Sequence, residues 1–395
     1  MTILFYHDSF KSIFSGGIDR ITFNIASLIS QRNIKVLFLS RNGQYIGFNK
    51  ISELCMSLPE QKLSANANVK YVKDILARHH VDIIINQSAM SREHLAFLCK
   101  CIEGNSHIKL ISCIHNLVIT PGVNWGLTHE YILRKKHLGV ISKIAQTTYS
   151  KTILKRLYIL KYRRHYRNLD KSSDAIIGLC PGHLKEIEEM LGYKSSKLVL
   201  IPNCIPNENI KEIEEKDKII LWVGRTDFSI KRLDIMIHIW HKIESIMPDW
   251  ELYVLGSGGN LELAKKISQQ LFLKRIHFEG NVNPSEYYKK SSITCVTSSH
   301  ESFSMVILES QTYSVVPIVF NTFPAARFLV DNNINGILVD PYDIETYVNK
   351  IYELTKNELK LKEMQHAAYC SSKTYGASNV CDKWLELFFQ MCPKN

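Results

Sequence analysis

The chain has 395 residues, enough for two domains of ordinary size, and its 45% apolar and 22% charged content is that of a globular protein rather than a disordered or fibrous one. Its apolar runs, such as VDIIIN and DAIIGL, are far too short to span a bilayer. The formal net charge of +11 is concentrated: from Arg134 to Lys171 there are twelve Lys/Arg and one acid, Asp170. Such a block suits nucleic acid, an anionic membrane or a phosphate-bearing substrate, against the plainer reading of a solvated helix face. Ten scattered cysteines without a C-x-x-C pair, and no signal peptide ahead of the first apolar run, lead to the expectation of reduced thiols and a cytoplasmic protein.

In chain order, TILFYH reads as a strand, GGIDRITFNIASLISQR as a helix and IKVLFLS as a second strand; VDIIIN, KLISCIHN, DAIIGL and KLVLIPN follow with helical periodicity between them. The polar stretch NENIKEIEEKDK reads as a linker. A second series then begins: IILWVGR, WELYVLGSGG, RIHFEGNV, ITCVTSS, VVPIVF and GILV. Continuous apolar strands alternating with helices predict α/β architecture with two tandem doubly wound parallel sheets. The expected domains are 1–205, 206–375 and a C-terminal helix 376–395 that caps either the second domain or, crossing back, the first. Ligands of such sheets sit outside the C-terminal ends of the strands, so two domains would place them in an interdomain cleft.

Motifs fall at those strand ends. Gly16 and Gly17 follow the first strand and open a helix, where a backbone without Cβ can approach a phosphate. They do not form G-x-G-x-x-G, which argues against a dinucleotide enzyme. His115 ends LISCI, placed to donate to a developing charge or a hydroxyl. In VGRTDFSIKRLD, Arg225 and Lys231, followed by Arg232, offer cations suited to a diphosphate. Gly258 lies in the close-approach loop GSGG, equally readable as a plain turn. Most informative is SSHESFSMVILE, which sets Glu301 and Glu309 eight positions apart across a loop that runs into an apolar helix. The helix N-terminus attracts an anion and the carboxylates accept hydrogen bonds from hydroxyls, as a ligand with a phosphate and two sets of sugar hydroxyls requires. No D-x-D between strands, no H-E-x-x-H and no Cys/His cluster is present, so neither a metal nor a cofactor is expected.

Together with IPNCI, FEGNV and VPIVFNTFPAARFLVDNNINGILVD, these segments resemble the retaining, GT-B-fold glycosyltransferases of the large family four, over nearly the whole chain and most strongly from 219 to 340. The resemblance implies two Rossmann-like domains facing across a cleft and transfer of a hexose from a nucleotide sugar, a UDP-hexose, to a lipid-linked saccharide. It implies that Arg225 and Lys231 hold the donor diphosphate and that Gly16 and Gly17 cover it. Glu309 would bind the ribose hydroxyls and Glu301 the sugar hydroxyls. The backbone of Phe303, Ser304 and Met305 would contact sugar and phosphate, Asn281 and Val282 would flank the base, and His115 would stand near the reacting sugar. Departures are Asn203-Cys204, where Asn-Gly is usual, and Asn116, where Asp is frequent.

Interleaved Lys/Arg and apolar residues in KTILKRLYILKYRRHYR suggest a helix lying on an anionic membrane, hence a peripheral protein at the inner face of the cell membrane. Nucleic acid is not an expected partner: Tyr158, Tyr162 and Tyr166 share one helix face, a pattern of packing rather than base stacking. The alternatives are a nucleotide-sugar epimerase on the same fold, for which the basic first domain is surplus, and a non-catalytic nucleotide-binding protein.

Overall fold

The computed structural model describes residues 1–12, 17–48, 51, 54–205, 210–213 and 215–393, the side chain of Leu127 excepted. Among them the chain forms two parallel sheets. The first sheet contains β1 (Thr2–His7), β2 (Lys35–Ser40), β3 (Cys55–Ser57), β4 (Ile83–Asn86), β5 (Lys109–Cys113), β6 (Ala175–Gly178) and β7 (Leu198–Leu200), in the order β3-β2-β1-β4-β5-β6-β7. The second contains β8 (Ile219–Val223), β9 (Glu251–Leu255), β10 (Ile276–Gly280), β11 (Ile293–Val296), β12 (Val316–Phe320) and β13 (Ile337–Val339), in the order β10-β9-β8-β11-β12-β13. The central strands read as unbroken aliphatic runs because helices cover both faces; Ile83, Ile84 and Ile85 of β4 are fully buried.

Both orders reverse direction once, between β1 and β4 in the first sheet and between β8 and β11 in the second. At such a reversal the helices leaving the two central strands go to opposite faces, and a crevice opens beyond the strand ends. The register places His7 and Asn86 at the first crevice, through pairs such as Tyr6↔Asn86, and the ends of β8 and β11 at the second.

Helix ends follow local chemistry. Pro181 starts the Pro181–Leu191 helix, whose Gly192 closes it at φ +85°, a left-handed turn that favours glycine. The Gly17–Ser30 helix buries Ile21, Ile25 and Ile29, and the C-terminal Ala377–Met391 helix packs against it.

The chain divides into two compact units, one of residues 1–118, 159–206 and 376–395, the other of 119–158 and 207–375. The sequence reading placed all of 1–205 in one domain; the structure instead sets 119–158 with the second sheet. Asn124 Nδ2 donates to the carbonyls of Ser299 (2.8 Å) and Thr322 (3.0 Å), and the Tyr131 ring meets Phe228 edge-on. The polar stretch read as a linker is anchored where it is described: Lys216 Nζ donates to the carbonyls of Tyr288, Lys289 and Tyr313, and burial pushes its amine down to about 7. Among the described residues no helix is long and apolar enough to cross a membrane.

Candidate functional site

The second crevice is built by two loops. After β8 the chain passes Gly224 and Arg225 and folds back at Asp227, whose Oδ1 accepts from the backbone N–H groups of Ile230 (2.6 Å) and Lys231 (3.0 Å). This Asx-type turn aims Lys231 back over the strand end. Its methylenes lie on Gly224, where an added Cβ would be 3.3 Å from Cδ. The loop after β11 is tied alongside: Ser299 N donates to the Ile230 carbonyl (2.7 Å), and Thr297 Oγ1 donates to the carbonyl of Lys231 (2.9 Å). The two loops bring Lys231 Nζ to 3.0 Å from Glu301 Oε1, an oxygen that also accepts from Ser298 Oγ at 2.6 Å. Side-chain exposures of 19% and 10% put this pair in a partly desolvated setting, where charge is felt more strongly than at an open surface.

Beyond Glu301 the chain turns sharply at Ser304, φ +65°, and enters the Met305–Thr312 helix. The first N–H groups of a helix have no intrahelical acceptor, and its dipole is positive at that end. Ser304 Oγ is buried with no hydrogen-bond partner among the described residues, while the Phe303 ring is fixed between Phe328 and Tyr375. Glu309 stands about one turn along the helix, half-buried, with Tyr288 Oη 3.5 Å from its Oε2. Asn281 and Val282 are exposed just past β10. The structure therefore gathers Lys231, Glu301 and the 303–305 turn at one strand-end crevice.

Arg225 is 70% exposed and, among the described residues, pairs with Asp227 at 3.5 Å, so it is the outward cation of the pair expected from sequence. Arg232, which follows Lys231, is an internal group: buried, it pairs with Asp234 (3.0 Å) and Glu130 (3.3 Å) and lies over the Tyr342 ring. Gly258 rests against Thr226, and Gly256 is demanded by backbone packing, because a Cβ there would fall 1.8 Å from the Gly224 carbonyl oxygen. The GSGG loop is thus glycine-rich because it lies directly on the β8 loop, with Thr226 N donating to the Ser257 carbonyl at 3.1 Å. Sequence reasoning missed Asp227, Ser298 and His300. Asp227, followed by the N–H groups it caps, was the one with a legible turn signal. His300 lies beside Ser299 Oγ (3.0 Å), and burial lowers its imidazole despite the nearby Glu301 and Asp227 carboxylates.

In the first unit a pocket of about 320 Å³ lies outside β1, β4 and β5, lined by His7, Asp8, Arg41, Gln87, His94 and His115 among others. Asp8 holds Arg41 at 2.8 Å and His94 at 3.2 Å, and the Tyr6 hydroxyl lies 2.6 Å from His94 Nδ1. His115 Nε2 is bonded to Gln87 Oε1, and burial, with His7 and His183 nearby, drives its imidazole down to about 3. His115 is therefore a neutral hydrogen-bonding group at physiological pH rather than a cation. Gly17 opens its helix with empty space where a Cβ would be; Gly16 lies outside the described residues. Among the described residues no three His, Cys, Asp or Glu are placed to hold a metal ion.

Comparison with known proteins adds a second line of observation. The model of Glycosyl transferases group 1 matches residues 206–370, and that of Glycosyltransferase Family 4 matches residues 15–209. The amylovoran biosynthesis glycosyltransferase AmsD of Erwinia amylovora is 24% identical over 393 residues, covering 94% of this chain and 96% of its own. A Campylobacter jejuni alpha-1,4-N-acetyl-D-galactosaminyltransferase, named for a GalNAc-containing saccharide on PP-undecaprenol, is 26% identical over 201 residues, covering 50% of this chain and 55% of its own. The crystal structure of Anabaena HepE in complex with UDP-glucose superposes with a TM-score of 0.73 at 16% identity, over 99% of this chain and 100% of that one.

Proposed function

Because the chain belongs to the group 1, family 4 glycosyltransferases and has their GT-B fold, we propose that it moves a hexose from a UDP-sugar to a lipid-linked saccharide, with retention at the anomeric carbon. The product would be capsule, O-antigen or exopolysaccharide, made by a peripheral protein at the cytoplasmic face of the cell membrane. The observation that carries the reading is the Lys231–Glu301 pair at the reversal point of the second sheet, 3.0 Å apart and ahead of a helix N-terminus. It offers a cation for a diphosphate and a carboxylate for sugar hydroxyls within one side-chain length of each other.

In this reading the ammonium of Lys231 and the N–H groups of 303–305 hold the diphosphate, with Arg225 closing from the solvent side. Glu301 accepts from hydroxyls of the sugar and Glu309 from those of the ribose. Asn281 and Val282 border the base, beside the Gly258 loop. The acceptor occupies the pocket of the first unit, where neutral His115 offers a hydrogen bond without a competing charge. The acceptor oxygen attacks the anomeric carbon on the face from which the diphosphate leaves. The carbon–oxygen bond to the β-phosphate breaks, and the departing phosphate oxygen takes the acceptor's proton. Catalysis then rests on positioning and on stabilising the negative charge of the leaving group, and needs no carboxylate pair at glycosidase spacing. The donor class is supported by UDP-glucose in HepE, and the acceptor class by the saccharide on PP-undecaprenol in the name of the Campylobacter transferase.

The test is release of nucleoside diphosphate from UDP-glucose, UDP-galactose, UDP-N-acetylhexosamines, UDP-glucuronate and GDP-mannose, with and without a membrane lipid extract from a polysaccharide-producing bacterium. Release from one donor that depends on the extract is the expected outcome. Tight nucleotide binding with no release from any donor would overturn the reading in favour of a non-catalytic nucleotide-binding protein.

A further inference from the structure

The second unit contains a segment whose polarity is inside out. The Gly139–Ala145 helix, GVISKIA, turns Ser142 and Ala145 inward and leaves Val140, Ile141 and Ile144 in solvent, at 69%, 44% and 56% exposure. The cause lies in the neighbouring Trp125–Lys135 helix. At its Gly126 an added Cβ would be 2.9 Å from both the Ala145 Cβ and the Ser142 carbonyl oxygen, so the two helices meet through their smallest residues. A branched side chain has no room on that side, and the aliphatic ones are held outward. The start of the Thr148–Ser172 helix adds exposed Tyr149, Ile153 and Leu157, spaced i, i+4, i+8 on one face.

With Ile132 and Leu138, eight of the eighteen large apolar side chains exposed among the described residues fall within residues 132–157. The same 26 residues contain seven Lys/Arg and no Asp or Glu. We infer that this surface, the Gly139–Ala145 helix with the Tyr149/Ile153/Leu157 stripe, inserts into the interfacial layer of an anionic lipid bilayer, its aliphatic side chains entering the acyl boundary while the cations stay at the phosphates. The composition selects a bilayer over a protein partner. Protein interfaces favour aromatic residues and disfavour lysine, whereas here Tyr149 is the single aromatic among aliphatics and cations. The later half of the long helix takes a different role: Ile159, Tyr166 and Leu169 are buried in the first unit, so the membrane face is shorter than KTILKRLYILKYRRHYR suggests and begins before it. The inference deepens the proposed function and rests on it for its purpose, the delivery of a membrane-borne acceptor.

The experiment is co-flotation of the full chain with phosphatidylcholine vesicles and with vesicles containing phosphatidylglycerol, at low and high salt, for the natural chain and for Val140→Asp/Ile144→Asp. Both positions are exposed, so melting and nucleotide binding should be unchanged. We expect binding to anionic vesicles, a fraction of it surviving high salt because inserted aliphatics are not screened, and at least a tenfold loss in the double variant. Equal binding by variant and natural chain, or no vesicle binding at all, would overturn the inference. So would a natural dimer that the variant converts to a monomer without any vesicle binding. Donor release without vesicle binding would remove the surface and leave the transferase reading intact; vesicle binding without donor release would do the reverse.

Discussion

Lys231 answers two demands with one ammonium group. It offsets Glu301, which is 10% exposed, and in the proposed reaction it meets the charge of a departing diphosphate. Three N–H donors on a compact head can serve a carboxylate and a phosphate together. Lys231→Ala would remove the ion pair and leave Glu301, among the described residues, with the Ser298 Oγ hydrogen bond, a loss of about 1–3 kcal/mol in stability. The loss in turnover should be larger, on the order of 10²–10³-fold, if the ammonium stabilises the leaving group. Steady-state kinetics beside thermal melting separates the two; normal turnover would show the diphosphate assignment to be wrong. Glu309→Gln should weaken donor affinity with a smaller effect on the chemical step, since a charged acceptor of ribose hydroxyls is lost. Glu301 and Glu309 were visible in the sequence because both lie on one short loop-to-helix segment. Asp227 was overlooked because its task is to bend its own loop, and its turn signal says nothing of a ligand.

At the level of elements, two loops from neighbouring strands lie backbone on backbone. Gly256, at φ +133°, touches the Gly224 carbonyl, and Gly224 in turn supports the Lys231 stem. A side chain at 256 must push the β9 loop away from the β8 loop and carry Lys231 off its line to Glu301. Gly256→Ala should therefore destabilise the protein by about 1–3 kcal/mol and reduce donor binding, although no ligand need touch residue 256. Isothermal titration with UDP beside a melting curve measures both, and unchanged affinity would show that Lys231 does not depend on this packing. The glycine run was legible, but its reason was not: a sequence displays glycines without saying whether a ligand or a neighbouring backbone occupies the space. The Gly139–Ala145 helix is the opposite case, where the apolar periodicity is plain and its direction is not, because Gly126 decides which face can pack.

For the whole molecule, buried histidines set the response to acid. His7, His94, His115, His165, His183 and His300 all have their imidazoles lowered, burial being the first cause in each, to about 4 for His183 and about 3 for His115. His183 shows why: its Nδ1 accepts from Leu179 N while Nε2 faces the Asn116 carbonyl at 3.0 Å, an arrangement that requires the neutral ring. The unfolded chain binds these protons near pH 6.5 and the folded one only at lower pH. The histidine contribution to stability should be level above about 6.5 and fall as the pH drops toward 4, by up to about 1.4 kcal/mol per pH unit for each such group. Melting midpoints taken from pH 8 to pH 5 test this, and a flat profile would contradict it.

By itself the sequence determined the two doubly wound sheets and the strand ends at which chemistry is placed. Aliphatic runs, helical periods and glycine turns are local signals, read over ten or fifteen residues. Only the tertiary structure decided that Lys231 meets Glu301 across seventy positions, that Arg232 is neutralised by Glu130 and Asp234, and that residues 119–158 attach to the second sheet through Asn124. It also decided that the exposed aliphatics of 132–157 stay in solvent. Those outcomes depend on which distant backbone arrives at each face, and on the size of the residue waiting there, which no local pattern encodes.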